Sequence, residues 1–207
     1  MELEREVKRL EGIFFNAQCM KYKNKLSEIS KGIEKQIEGK IVKADRKIPN
    51  SLLLNEFNMK VRLSDFTDDG RSVIFFHRGS WCPYSNLNIE YLMNHSDALK
   101  KKGYKILVIS NSLPEEEDSL YERVNLPISV LSDAGSEMAE TLGITYNLSS
   151  ELKALYSEAG IIPDTGGRDK LIFPTIFIAD IRRNIEKIIL KDDEIYIKEF
   201  EKLITSL

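Results

Sequence analysis

Between Ser72 and Leu99 the apolar pattern changes period, and that change restricts what the chain can become. After Asp68-Asp69-Gly70, the run Ser72-Val73-Ile74-Phe75-Phe76 is β-branched and aromatic and reads as a buried strand. From Pro83 onward, Leu87, Tyr91, Leu92 and Leu99 recur at helical spacing until Lys100-Lys101-Lys102-Gly103 supplies a cationic last turn and a stop. A buried strand that passes into an amphipathic helix within a few residues calls for a sheet covered by helices. The junction is Arg78-Gly79-Ser80-Trp81-Cys82-Pro83-Tyr84-Ser85, which sets Cys82 at the N-cap or first turn and Pro83 in an opening position.

A cysteine placed there has two readings. As a small hydrophobe it would pack and stay inert, as most buried cysteines do. As a nucleophile it would use the unpaired N–H groups and positive dipole end of the helix, which can bring a thiol from a pKa of about 8.5 into the range of roughly 3.5–7.5. Its position on the exit turn, between Arg78 and Trp81 on one side and Pro83 on the other, favours the reactive thiol.

The rest of the composition removes competing functions. In 207 residues, 42% hydrophobic content suffices for a core, and a formal charge of -3 gives no net attraction to nucleic acid or anionic lipid. The start Met1-Glu2-Leu3-Glu4-Arg5-Glu6 lacks the apolar stretch of a signal peptide, and no run is long enough for a membrane span. A reducing, cytoplasmic setting is therefore expected, where a thiol can be returned to its reduced form. His77 and His95 are the only histidines and no paired ligand spacing accompanies them, so no metal is expected. His77 reads as an ordinary hydrogen-bonded histidine. Gly166-Gly167 lies outside any strand-to-helix phosphate motif, so no nucleotide cofactor is implied. The acidic run Glu115-Glu116-Glu117-Asp118 after Pro114 reads as a helix start favoured by the dipole, and no Gly-x-Ser-x-Gly elbow surrounds Ser80 or Ser85.

Along the chain, residues 1–47 read as a helical extension and residues 48–207 as the main domain. In the extension, Phe15, Cys19, Tyr22, Leu26, Ile29 and Ile33 form one apolar stripe, which suits a cover for the domain or a homodimer surface. Lys47-Ile48-Pro49-Asn50 reads as a linker. Segments Leu52 to Phe57 and Lys60 to Leu63 suit a small hairpin. Strands are expected at Tyr104 to Ser110, Ile128 to Leu131, Thr175 to Ala179 and Ile185 to Leu190. Helices are expected near Pro114, at Ser136 to Leu142, at Ser149 to Ala159 and from about Tyr196, with a loop through residues 163–167. This order indicates an α/β fold with a central mixed sheet and helices on both faces.

With those elements placed, the chain resembles the peroxiredoxin-like branch of the alkyl hydroperoxide reductase/thiol-specific antioxidant (AhpC/TSA) family, with a thioredoxin-like fold. The likeness spans about residues 48 to 190. It is carried by the Arg78 to Tyr84 signature after its aromatic strand, by Leu126-Pro127-Ile128-Ser129-Val130-Leu131-Ser132-Asp133, by Ala139 to Gly143, and by Phe173-Pro174-Thr175-Ile176-Phe177-Ile178-Ala179-Asp180. Trp81 and Tyr84 read as the apolar rim of a substrate site or as simple packing. The resemblance implies that Cys82 is the redox centre and that Pro174 forms a cis-proline loop with Thr175 beside it, whereas on the residues alone Pro174 reads equally as a plain strand-initiating proline. It also exposes departures. Family members surround the thiol with Pro seven residues before it, Thr three before it and a later Arg, where this chain has Phe75, Gly79 and Pro174. Arg78 reads either as a replacement cation suited to both a thiolate and a peroxide oxygen or as a surface or structural arginine. Ser85, native or introduced, stands where related signatures commonly carry a second Cys. No disulfide then closes within the motif, and Ser85 is left as a hydroxyl donor to the thiolate.

The resemblance implies an oxidoreductase with no cofactor. In the leading reading, Cys82 reduces a hydroperoxide through a sulfenic acid, and an external thiol such as glutathione or a thioredoxin-like protein, or Cys19 as a resolving residue, regenerates it. In the alternative, Cys82 exchanges with a disulfide substrate through a mixed disulfide. The third reading is a non-enzymatic binding module on the same fold.

Overall fold

The computed structural model describes residues 17–116, 127–158, 160–163, 169–190 and 205–206. Its centre is a seven-stranded sheet built on three parallel strands, β3 (Arg71–Phe76), β4 (Tyr104–Ser110) and β5 (Ser129–Ser132). The hairpin of β1 (Leu52–Leu54) and β2 (Lys60–Arg62) extends the sheet beyond β5. On the other side, β8 (Thr175–Ala179) pairs antiparallel with β3, and β9 (Ile185–Leu190) closes that edge. Here β6 (Thr145–Asn147) and β7 (Lys170–Ile172) form a separate two-stranded sheet.

The unbroken apolar run of β3 follows from burial on both faces. Ile74 and Phe76 join the larger core with Leu107, Ile109, Leu131 and Phe177, under α5 (Glu137–Leu142) and α6 (Ser150–Glu158). Val73 and Phe75 face the second core with Val108, Ile176 and Ile178. That side is covered by α3 (Pro83–Asn94), which contributes Ile89 and Leu92, and by α4 (Ser96–Lys101), which contributes Leu99. The helix expected across Pro83 to Lys102 thus comes in two pieces, interrupted at His95 with φ -105° and ψ 5°. Between the β1–β2 hairpin and β3 lies the one-turn α2 (Ser64–Thr67).

The amphipathic helix α1 (Ala17–Glu38) covers the larger core. Ile29 and Ile33 pack against that core, and Ile37 is fully buried in it. Gly143, at the C-terminal cap of α5 with φ 74°, lies so close to this segment that a methyl group would collide with the Lys40 carbonyl. The stretch read as a linker is held firmly: Ile48 is fully buried and its N–H donates to the Arg183 carbonyl at 2.9 Å. Near Pro114 the chain makes a 3-10 turn, Pro114–Glu116. The continuation of that element, the helix from Tyr196 and the core of the 163–167 loop lie outside the described residues, as do Phe15 and the side chains of Cys19, Tyr22 and Leu26.

Candidate active site around Cys82

The sequence forces the chain to turn sharply where β3 ends. The parallel ladder runs one step past Phe76, with the His77 N–H donating to the Ile109 carbonyl at 2.9 Å. Gly79 then takes φ 109°, a left-handed conformation that L side chains rarely adopt. The turn closes when the Cys82 N–H donates to the Gly79 carbonyl at 3.1 Å. Cys82 has extended backbone angles, φ -94° and ψ 112°, and α3 begins at Pro83. The Cys82 carbonyl accepts the first helical bond, from the Asn86 N–H at 3.2 Å. Cys82 is therefore the N-cap residue, at the positive end of a twelve-residue helix. It is also buried, with 2% exposure.

Three side chains fix this loop. The Asn86 amide donates to the Ser80 carbonyl at 2.7 Å. Ser85 is buried, and its hydroxyl oxygen accepts the Arg78 N–H at 3.3 Å, tying the loop to the first helical turn. His77, fully buried, accepts the Gly79 N–H on Nδ1 at 3.2 Å, which assigns its proton to Nε2. Burial pushes the His77 imidazole down to about 3, so it is neutral under ordinary conditions. The role expected of His77 is thus the observed one, with the added finding that it holds the turn itself.

Arg78 is buried in the same loop, while Trp81 and Tyr84 are half-buried on either side of Cys82. The Trp81 ring meets Tyr156 of α6 edge-on, with centroids 5.8 Å apart. Thr175 lies opposite Phe76 at the start of β8, and its hydroxyl donates to the Phe173 carbonyl at 2.9 Å. The cis-proline expectation is corrected: the described residues contain no cis peptide bond, so Phe173–Pro174 is trans. The Phe173 N–H donates to the Ile144 carbonyl at 2.8 Å and its carbonyl accepts Thr175, which fixes both sides of that residue. Pro174 therefore acts as a proline just ahead of a strand, where its missing N–H removes no ladder bond. Cys19 falls on α1, with its side chain outside the described residues.

The wall opposite the thiol loop was not singled out from sequence. At the ends of β4 and β5, Ser110, Asn111, Ser112, Ser132, Asp133 and Ser136 are all buried. The Asp133 carboxylate accepts the Met138 and Ala139 N–H groups at 3.3 and 2.9 Å and so caps α5. Burial nevertheless pushes it up to about 6, against the pull of those bonds. The signals were a polar pair ending each apolar strand and, for Ser132 and Asp133, their place at the end of the segment Leu126 to Asp133 that carries the family likeness. Among the described residues no cluster of His, Cys, Asp and Glu could hold a metal ion, and no helix is long and apolar enough to cross a membrane.

A cysteine at the N-cap of the helix leaving a central parallel strand invites comparison with known proteins, and the AhpC/TSA family model matches residues 44–188. The chain belongs to the AhpC/TSA family. Among its relatives, Peroxiredoxin Bcp of Escherichia coli K12 is 28% identical over 103 residues, covering 50% of this chain and 65% of the relative, just short of two thirds of its length. Two solved structures show the shared thioredoxin-like peroxiredoxin fold. Peroxidoxin BcpB of Mycobacterium tuberculosis superposes with a TM-score of 0.60 at 15% identity, over 80% of this chain and 98% of that one. A cysteine-to-serine mutant of the peroxiredoxin 6 of Arenicola marina gives 0.61 at 17% identity, over 80% and 73%. In this chain Gly79 and Ser85 belong to a loop held from within by the bonds from the Gly79 N–H to His77 and from the Arg78 N–H to Ser85.

Proposed function

We propose that this AhpC/TSA protein is a thiol-dependent oxidoreductase that reduces hydroperoxides through Cys82. The observation that carries the reading is the placement of Cys82 as N-cap of α3 at the exit of β3, where the helix dipole favours thiolate. The thiolate attacks one peroxide oxygen, the S–O bond forms as the O–O bond breaks, and the departing oxygen takes a proton to leave as water or alcohol. Sulfur is thereby oxidised to a sulfenic acid and the peroxide is reduced by two electrons. Arg78, buried beside this turn, is the cation that favours the thiolate, and Trp81, Tyr84, Pro174 and Thr175 line the approach. Ser85 positions the loop through Arg78.

An external thiol, from glutathione or a thioredoxin-like protein, returns Cys82 to the reduced state in the cytosol, with Cys19 as the intramolecular candidate. Residues 48–207 act as the catalytic unit and the helical extension covers it; its apolar stripe is also the homodimer candidate. Thiol–disulfide exchange is the second reading, favoured by Phe75, Gly79 and Pro174 at the positions where peroxide-binding groups are expected.

The test is single-turnover oxidation by hydrogen peroxide, followed by mass spectrometry on Cys82 and by Trp81 fluorescence. Oxidation orders of magnitude faster than a free thiol, lost in Cys82→Ser, supports the peroxidase. A rate close to that of a free thiol, together with a trapped mixed disulfide on Cys82, transfers the assignment to exchange. The absence of both reactions leaves the binding module.

A further inference from the structure

Gly79 is pressed against two side chains that the proposed function does not use for chemistry. A methyl group at this glycine would meet Ser112 Oγ at 2.7 Å and the Trp81 indole Cδ1 and Nε1 at 3.0 Å each. The serine hydroxyl, from beyond the end of β4, and the indole N–H, from the thiol turn, therefore converge on one face of one glycine. Both atoms are buried and neither has a hydrogen-bond partner. Ser112 itself is 1% exposed. Its backbone is firmly placed: its N–H donates to Ser110 Oγ at 3.3 Å and its carbonyl accepts the Ser132 hydroxyl at 2.6 Å. Only the side-chain hydroxyl is left over. Buried polar atoms in native proteins almost always find a partner, in protein, ordered water or ligand. Two such atoms flanking one glycine are within reach of a single bridging oxygen.

We infer that Ser112 and Trp81 form an oxygen-binding pair that holds the leaving oxygen of a hydroperoxide while Cys82 attacks its neighbour. The inference rests on the peroxidase reading and gives that site a residue it lacks. The hydrogen bond from Cys82 to Gly79 closes a four-residue turn, so the Cα atoms of the glycine beneath the pair and of the thiol residue are within about 7 Å. As the O–O bond breaks, the electron pair goes to the leaving oxygen, which carries negative charge until it takes a proton from solvent. The indole N–H can only donate and the serine hydroxyl can donate, so both suit that developing charge.

The experiment compares two reactions of Cys82 in the full-length protein: oxidation by hydrogen peroxide and alkylation by iodoacetamide. Alkylation needs thiolate and access but no site for a leaving oxygen. Ser112→Ala and Trp81→Phe are each expected to slow oxidation by about 10–100-fold, with alkylation unchanged in Ser112→Ala and the oxidation rate restored by Ser112→Thr. Fast oxidation in the native protein that survives both Ser112→Ala and Trp81→Phe overturns the pair. A parallel fall in oxidation and alkylation in Ser112→Ala also overturns it, because the serine would then act only on loop structure. A native protein no faster than a free thiol removes the peroxidase reading itself, and the pair with it.

Discussion

Two buried titratable groups behind the thiol loop should pull the stability of the fold in opposite directions as pH falls. His77 is held neutral down to about 3, whereas its ordinary value is 6.5. Below 6.5 the unfolded chain takes up a proton that the folded imidazole refuses, so this stability is present above 6.5 and is lost as pH falls toward 3. Asp133 has the reverse sign, because burial raises it from 3.8 to about 6. The folded protein takes up its proton first, and stability is gained as pH falls through 6. Between pH 7 and pH 5, linkage gives a loss of about 2 kcal/mol from His77 and a gain of about 1 kcal/mol from Asp133. The native protein should therefore show a net loss of only about 1 kcal/mol, the difference between two opposing contributions. Urea unfolding by Trp81 fluorescence at pH 7, 6 and 5 separates them through His77→Asn, which keeps an acceptor for the Gly79 N–H, and Asp133→Asn. Relative to the native protein, the difference in unfolding free energy should shift by about 2 kcal/mol toward the His77 variant on going to pH 5. It should shift by about 1 kcal/mol against the Asp133 variant. A His77→Asn difference that is flat with pH would refute the assignment of a neutral, desolvated imidazole.

Ser85→Ala leaves the Arg78 N–H without its acceptor inside the protein, and a stability loss of about 1–3 kcal/mol is expected by chemical denaturation. Ile37→Ala removes a fully buried side chain where α1 meets the larger core, with an expected loss of about 2–5 kcal/mol on the same assay. Gly143→Ala combines a left-handed φ with a collision against the Lys40 carbonyl, so at least about 2 kcal/mol should be lost, and limited proteolysis should cut first near residue 40. A Gly143→Ala protein as stable as the parent would contradict that close approach.

The parts legible in the sequence were those in which one local pattern determines one element. The aromatic run of β3, the period change at Pro83 and the Thr175 and Ile185 strands each carry their own signal, and the N-cap position of Cys82 follows from the first two. What escaped notice depends on contacts between distant segments. β6 and β7 are three-residue strands that exist because Thr145 pairs with Ile172 and Tyr146 with Leu171, a pairing that no local period encodes. Ile48 looked like linker because its anchor, the Arg183 carbonyl, lies far along the chain. Pro174 took its expected geometry from relatives, whereas here Ile144 and Thr175 fix Phe173 on both sides. Ser112 gave no warning, since only the folded loop brings it to Gly79.

Burial of the thiol has a kinetic consequence. With 2% of Cys82 exposed, the closed loop keeps a folded protein from the sulfur. Reaction with a macromolecular disulfide or reductant then proceeds at its intrinsic rate multiplied by the fraction of molecules in which the Gly79–Cys82 turn has opened. The bonds from Asn86, Ser85 and His77 to this loop set that fraction. Under the proposed activity, loosening any one of them should quicken reaction with protein partners by opening the loop more often, so the step that returns Cys82 to its reduced form is the one these few hydrogen bonds would tune.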